Sequence, residues 1–230
     1  MGKREFIARN VAAMFHDGDV VNLGVGIPTL ASTYVPEGMT VLFHAENGCV
    51  GAGEAGGFPW DFSTRESVIA WMDSCAGEKG SWKTVHKDLC NASGEVITLI
   101  PGACCFDSTM AFAIARGGHL DATVLGALQV DEACNLANWK IPGKKLNGMG
   151  GAMDIVSGAK KVIIAMEHCS LPLTAPGCVN TIVTELCIID CKPGCLTVTA
   201  IAPGVTPDEI RAKTGAHLCF AAQLETMLSE

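Results

Sequence analysis

The stretch that decides the fold is Val20-Val-Asn-Leu-Gly-Val-Gly-Ile-Pro28, together with Met39-Thr-Val-Leu-Phe-His-Ala-Glu-Asn-Gly48 downstream of it. Residues 20–23 predict a short buried strand, and a glycine-rich turn follows. Thr29 is a candidate cap for a helix reaching Tyr34, and residues 39–44 predict the next strand. The order strand, turn, helix, strand is typical of a parallel α/β sheet.

The same pattern extends outward in both directions. Helices are predicted over residues 4–16 and 108–116 and from Thr206, with Pro207 at the first helical position. Further strands are predicted at residues 96–100, 122–125, 161–166, 181–190 and 196–201. We expect one α/β domain over residues 1–230, an open, mostly parallel sheet flanked by helices. A loop-rich excursion at about 52–94, which holds three of the four tryptophans, interrupts it.

Composition limits the partners. Hydrophobic residues make up 49% of the chain and charged residues only 17%, which favours an oligomer with a large covered surface. The net charge of −8 argues against a nucleic-acid partner. It does not exclude an anionic cofactor, because backbone N–H groups hold phosphates without a basic patch.

Targeting and cysteine usage indicate a cytoplasmic protein. Residues 1–5 show no secretory signal, and no apolar run is long enough to span a bilayer. The twelve cysteines are interpreted as free buried thiols, as at Cys104-Cys105 and Cys187. Cys187, Cys191 and Cys195 are spaced by four, but residues 191–195 suggest a hairpin turn and no nearby histidine completes a zinc set. We therefore predict no metal site.

Three segments are candidates for chemistry, because each follows a predicted strand or is rich in glycine. In open parallel sheets catalytic residues gather at the carboxyl ends of strands. The candidates are Asn22 with residues 24–26, Glu46 with residues 47–48, and residues 148–154. From these residues alone a tight turn, a solvated loop acid and a loop crossing another segment remain open alternatives.

Nine motifs in order make the interpretation specific. The chain resembles the β subunits of family I CoA-transferases over almost its whole length, and also the carboxyl-terminal half of succinyl-CoA:3-oxoacid CoA-transferases. The motifs are Asn22-Leu-Gly-Val-Gly-Ile-Pro-Thr29, Pro36-Glu-Gly-Met39, Glu46-Asn-Gly48, Arg116-Gly-Gly-His119, Leu125-Gly-Ala-Leu-Gln-Val-Asp131, Asn135-Leu-Ala-Asn-Trp139, Ile141-Pro-Gly-Lys144, Gly148-Met-Gly-Gly-Ala-Met-Asp154 and Ala165-Met-Glu-His168.

The resemblance implies the CoA-transferase fold and a site completed by an α subunit. It implies that Glu46 is the catalytic nucleophile and that Asn22 and Gly151 help to form the oxyanion pocket. Coenzyme A is then a substrate, and no cofactor or metal is bound permanently. The residues that the resemblance assigns to coenzyme A are Gly24, Val25, Gly26, Gly150 and Gly151.

Two alternatives remain within this interpretation. One is a CoA-transferase for a dicarboxylic or 3-oxo acid, which a basic residue in the substrate pocket would favour. The other is a non-catalytic acyl-CoA or sugar-phosphate sensor on the same fold, which has no need of the Glu46 carboxylate. The chain departs from the family pattern in a longer segment between Gly53 and Pro101, a shorter one after Glu167, and Ala45 in place of a common serine.

Overall fold

The computed structural model describes residues 1–55, 89–139, 148, 150–167 and 177–229. Most of the predicted excursion therefore lies outside the described residues, and the single-domain assignment stays a prediction.

The described residues form twelve strands and five α-helices. The strands are β1 (Val20–Leu23), β2 (Leu42–Ala45), β3 (Cys49–Ala55), β4 (Ile97–Cys105), β5 (Ala122–Leu125), β6 (Gln129–Val130), β7 (Leu136–Ala137), β8 (Val162–Ala165), β9 (Thr181–Val183), β10 (Cys187–Lys192), β11 (Cys195–Ile201) and β12 (Leu218–Thr226). The helices are α1 (Lys3–Ala12), α2 (Ile27–Leu30), α3 (Ser108–Arg116), α4 (Ala152–Gly158) and α5 (Pro207–Lys213), with a 3₁₀ turn at Ala31–Tyr34.

One sheet of ten strands organises the molecule, in the order β12-β11-β10-β9-β8-β5-β1-β2-β3-β4. The five central strands, from β9 to β2, run parallel to one another. Antiparallel strands extend the sheet on both sides, since β3 returns against β2 and β10 returns against β9. The predicted open, mostly parallel α/β sheet is confirmed in this central part.

The residues of the parallel centre are mostly apolar on both faces, and the centre is buried. Every residue of β5 and β8 is buried, as expected for strands covered by helices on either side. The two faces carry separate hydrophobic cores. Leu136 and Ile164 lie in one core, and Ile7, Val21 and Ile163 lie in the other.

Caps and turns agree with the predicted helix starts in two places. The Asp107 side chain accepts a hydrogen bond from the backbone N–H of Met110 at the start of α3. At α5 the Thr206 hydroxyl accepts from Glu209 N–H, and Pro207 is the first helical residue as predicted. The hairpin predicted at residues 191–195 is confirmed by the antiparallel pairing of β10 and β11.

Several predicted boundaries are wrong. Helix α1 ends at Ala12 rather than at residue 16. Thr29 lies inside α2 and donates its hydroxyl to the Gly26 carbonyl oxygen, so it does not cap that helix. The single strand predicted over residues 181–190 is two strands. It breaks because the Thr184 hydroxyl accepts hydrogen bonds from Leu186 N–H and Cys187 N–H, which turns the chain.

The excursion begins later than predicted, because residues 52–55 belong to strand β3.

The predicted burial of all the cysteines is corrected by the structure. Cys49, Cys134, Cys187 and Cys191 are buried, but Cys90, Cys104, Cys105 and Cys195 are exposed. Cys104 and Cys105 lie at the end of β4, which is at the edge of the sheet among the described strands.

Within the part of the chain that the structure describes, we find no helix long and apolar enough to cross a membrane.

Candidate active site

Glu46 lies at the tip of a hairpin at the carboxyl end of a parallel strand. Strand β2 ends at Ala45, residues 46–48 form the turn, and β3 returns antiparallel with Ala45 paired to Cys49. The Glu46 side chain is half-buried. Part of the carboxylate side chain is therefore accessible from solvent, as a group that contacts a ligand must be.

Gly48 allows the hairpin to turn at this point. Its φ of +133° lies in the region that favours glycine. Its carbonyl oxygen accepts from Phe106 N–H at 2.9 Å, and a Cβ here would overlap the Phe106 carbonyl oxygen. Any side chain at residue 48 would push the hairpin away from the segment leading into α3.

Asn22 holds the Glu46 carboxylate directly. The Asn22 amide nitrogen donates to Glu46 Oε2 at 3.0 Å. Asn22 is the third residue of β1, and it is only 1% exposed. The structure thus brings together two of the predicted catalytic residues, one on β1 and the other directly after the adjacent parallel strand β2.

A buried polar layer supports this pair. Thr123, Asn22 and His44 lie side by side on β5, β1 and β2, paired in register. All three are at most 3% exposed. The Thr123 hydroxyl donates to Asn22 Oδ1 at 3.2 Å, and the Asn22 amide nitrogen lies 3.3 Å from both His44 Nδ1 and the His44 carbonyl oxygen.

His44 connects the layer to helix α3. Its Nε2 lies 3.1 Å from the Ala111 carbonyl oxygen. Burial lowers the pKa of His44, and this effect outweighs the opposing influence of the Ala111 carbonyl and the Glu46 charge. The imidazole is therefore neutral at pH 7.

The glycine loop after β1 borders an open cleft. Val25 is 70% exposed, and Gly26 has a φ of +94°. The cleft has a volume of about 350 Å³ and lies where β1, β5 and β8 end, so it shares an edge of the sheet with Glu46. The Arg4 guanidinium and the Glu167 carboxylate are the charged groups in its lining.

Gly150 and Gly151 precede helix α4. Gly151 packs closely against Phe112 of α3, because a Cβ on Gly151 would lie 2.7 Å from that ring. Helices α3 and α4 both begin at the carboxyl edge of the sheet, since each leads back to the amino end of the next parallel strand. Gly151 and His44 therefore both contact α3, and this helix is the link that the structure shows between Gly151 and the pair of Asn22 and Glu46.

Sequence reasoning missed His44, Thr123 and the part played by Ala111. The available signal was a polar residue inside an otherwise apolar strand, at His44 in β2 and Thr123 in β5. Sequence alone does not show which residues face each other on neighbouring strands. These partners therefore became visible only with the register.

Comparison with known proteins decides the family. A model of the coenzyme A transferase family matches residues 81–213, more than half of the chain. The chain is 44% identical to the beta subunit of acetate CoA-transferase from Escherichia coli, over 98% of each protein. This chain belongs to the coenzyme A transferase family. The resemblance drawn from the nine motifs is confirmed.

Other CoA-transferases are also similar to this chain in sequence or in fold. One of the subunits of succinyl-CoA:3-ketoacid coenzyme A transferase from Helicobacter pylori is 39% identical, over 93% of this chain and 97% of its own. The fold matches the crystal structure of glutaconate coenzyme A-transferase from Acidaminococcus fermentans with a TM-score of 0.70. That match has 17% identity and covers all of this chain and 90% of the other. The chain thus belongs to the CoA-transferase family by sequence and shares the fold of a CoA-transferase of known structure.

The Gly48 contact generates a first prediction. Replacing Gly48 by alanine should lower the free energy of unfolding in urea by about 3 kcal/mol or more, through backbone strain plus overlap with Phe106. Gly38→Ala is the matched control, since Gly38 also has a positive φ of +85° but no atom within 4 Å of its Cβ position. It should cost only about 1 kcal/mol. Equal losses in the two variants would contradict the overlap.

Proposed function

We propose that this chain carries the nucleophile of an enzyme that transfers CoA between a short-chain acyl-CoA and a carboxylic acid, such as acetate, acetoacetate or butyrate. The reaction is ping-pong and passes through a glutamyl-CoA thioester on Glu46. The observation that carries the proposal is the half-buried Glu46 carboxylate, held by Asn22 at the edge of the sheet where the ligand cleft opens.

The first half-reaction loads CoA onto the enzyme. A Glu46 oxygen attacks the thioester carbonyl, the C–S bond breaks, and CoA leaves as its thiolate from a mixed anhydride. The thiolate then attacks the glutamyl carbonyl carbon, whose bond to the bridging oxygen breaks. The donor acid leaves as a carboxylate, and Glu46 keeps CoA as a thioester.

The second half-reaction runs the same steps in reverse with the acceptor acid. Its carboxylate attacks the glutamyl thioester, CoA thiolate leaves, and the thiolate then attacks the acyl carbonyl of the new anhydride. This releases the new acyl-CoA and restores the Glu46 carboxylate. No proton is gained or lost overall, so the chemistry needs neither a general base nor a metal.

Each attack passes through a tetrahedral oxyanion that hydrogen-bond donors must stabilise. The Asn22 side-chain amide N–H donates to Glu46 Oε2 in the unliganded chain. During the reaction the same N–H donates to the oxyanion that forms at the attacked carbonyl. We assign the second donor to the backbone N–H of Gly151, at the start of α4. The exposed loop of Gly24, Val25 and Gly26, together with Gly150, forms the approach for CoA.

An α subunit completes the site. Val25, Met110 and Met153 are large apolar side chains exposed by 70%, 53% and 46%. All three lie at the carboxyl edge of the sheet, in the loop after β1 and in the first turns of α3 and α4. Exposed apolar residues at the edge of the sheet that carries Glu46 fit a partner surface that also excludes water from the anhydride.

Glu46→Gln tests the nucleophile. In the complex with the α subunit this variant should lose at least about 10³-fold in transfer rate, because an amide is a far weaker nucleophile than a carboxylate. Wild-type enzyme incubated with acyl-CoA and treated with hydroxylamine should carry a hydroxamate on Glu46, found by peptide mass spectrometry. Glu37→Gln, on an exposed turn, is the control and should keep full activity. An active wild-type complex without an adduct on Glu46 would overturn the mechanism, and a complex with neither adduct nor transfer would favour a sensor.

Charge at the exposed methionines tests the partner surface. Met110→Glu and Met153→Glu should each weaken the complex with the α subunit at least about tenfold, because a carboxylate would have to be desolvated in the interface. The helices themselves should tolerate an acid in the first turn. Leu228→Glu is the control, because Leu228 is similarly exposed but follows β12, at the far end of the strand order from β1 and β4. Unchanged assembly of both methionine variants, measured by analytical ultracentrifugation, would place the partner elsewhere.

A dicarboxylic acceptor is a second candidate, favoured by Arg4. The Arg4 guanidinium lines the cleft, and one of its terminal nitrogens lies 3.5 Å from the Cβ position of Gly26. A guanidinium there matches the second carboxylate of an acid such as succinate or 3-oxoadipate.

Arg4→Gln separates the two candidates. If the acceptor is dicarboxylic, the variant should raise KM for succinate about tenfold or more and leave KM for acetate within about twofold. Arg9→Gln, in the last turn of the same helix, is the control and should change neither value. Equal changes in both KM values for Arg4→Gln would favour a monocarboxylic acceptor.

A further inference from the structure

His44 takes no part in the reaction steps above, yet it is buried two residues before the nucleophile and bonded on both ring nitrogens. We propose that His44 is a positioning residue: its neutral ring, with the proton on Nε2, fixes the orientation of the Asn22 amide so that Asn22 donates to Glu46. This proposal rests on the proposed function, since the group that it positions serves the Glu46 nucleophile.

The ring has one tautomer that satisfies its neighbours. Nε2 faces the Ala111 carbonyl oxygen at 3.1 Å, and a carbonyl oxygen only accepts hydrogen bonds. Nε2 must therefore carry the proton. In the neutral ring Nδ1 then has no proton and is an acceptor, as it must be to face an amide N–H₂ group at 3.3 Å.

The Asn22 amide is fixed in turn by three acceptors around its nitrogen. These are His44 Nδ1, the His44 carbonyl oxygen and Glu46 Oε2. An amide nitrogen has two hydrogens, so one is directed at Glu46 and the other is shared by the two acceptors of His44. On the opposite side Oδ1 accepts from the Thr123 hydroxyl. Turning the amide over would place oxygen against three acceptors.

The Nδ1 atom of His44 helps to hold the Asn22 amide in the orientation that donates to Glu46. Without an acceptor at Nδ1, the inner hydrogen of Asn22 keeps only the His44 carbonyl oxygen at a long 3.3 Å. The amide then holds its outer hydrogen less firmly on Glu46, and the carboxylate loses a charge-assisted hydrogen bond of defined direction. The expected consequence is slower attack by Glu46, with little change in how CoA binds.

The competing explanation is a purely structural histidine that ties β2 to α3 through Ala111. Both explanations predict that a variant without the ring loses stability. Only the positioning role predicts that the loss of activity passes through Asn22. A double-mutant cycle between the two residues separates the explanations, because residues acting as one unit have non-additive effects.

The cycle uses wild type, His44→Leu, Asn22→Ala and the double variant, each assembled with the α subunit. His44→Leu should slow glutamyl-CoA formation about tenfold, the loss expected for one hydrogen bond to a charged group, with KM for the acyl-CoA nearly unchanged. In the Asn22→Ala background the same change should have an effect of less than about twofold. His44→Gln should retain the rate within about threefold, because a carboxamide supplies both an acceptor and a donor.

His217→Leu is the matched control. His217 is exposed and lies just before β12, at the far edge of the sheet. It should leave the rate unchanged in both backgrounds. An equal slowing by His44→Leu with and without Asn22 would overturn the positioning role, and so would the absence of any slowing. Urea unfolding of all four proteins shows whether stability losses follow the same pattern as the rates.

A second measurement reads out the wild-type protein and decides the matter if His44→Leu does not fold. The sample is the complex with the α subunit, in which only the histidines of this chain carry ¹⁵N in their rings. At pH 7, ¹⁵N NMR should show that the proton of the His44 ring is on Nε2. His44→Gln assigns the signal among the six histidines of the chain. A proton on Nδ1 at this pH would overturn the proposal. If instead no adduct forms on Glu46 in the wild type, the proposed function fails, whatever the tautomer.

Discussion

The hydrogen-bonded layer of Thr123, Asn22 and His44 is the constraint on which the site depends. Polar groups in the middle of an apolar parallel sheet must find partners, because an unpaired one costs about 1–3 kcal/mol. Here each satisfies the next across β5, β1 and β2. The layer therefore sets the register of three strands, and a slip by one residue would send these side chains to the opposite face. Since Glu46 follows β2 directly, the same register sets its position beside Asn22.

The hairpin after β2 carries Glu46 and places its carboxylate beside Asn22. A crossover helix at this point would have carried the chain away over one face of the sheet. Instead β3 and β4 run back and forth, and the chain enters α3 beside the layer. Helix α3 then supplies the Ala111 carbonyl that closes the layer and the Phe112 ring that contacts Gly151. The hairpin and this helix thus form one unit, in which the close contact of Gly48 with Phe106 leaves no room for a side chain.

The main features of fold and site could be predicted, and the reasons are local. Strands such as β8 are uninterrupted apolar runs, and α5 has a threonine cap followed by proline. Asn22 and Glu46 were recognisable because each lies at or near the end of a predicted strand within a motif of the family. The break at Thr184 was not predictable from apolar pattern, because a single hydroxyl bonded to two backbone N–H groups ends the strand. The exposure of Cys104 and Cys105 was not predictable from apolar pattern either, since both lie within a run of small and apolar residues.

The sequence by itself determined that this chain is a CoA-transferase, that its sheet is mostly parallel at the centre, and which carboxylate to examine. The sheet could be predicted because apolar periodicity and glycine placement lie within short segments. The family and the carboxylate came from the resemblance of nine motifs to known CoA-transferases. The tertiary structure alone decided that Asn22 bonds to Glu46, that His44 and Thr123 complete the layer, and that an antiparallel hairpin carries Glu46. These contacts join residues up to 101 positions apart. Their geometry depends on strand order and register, which arise only when the whole sheet has formed.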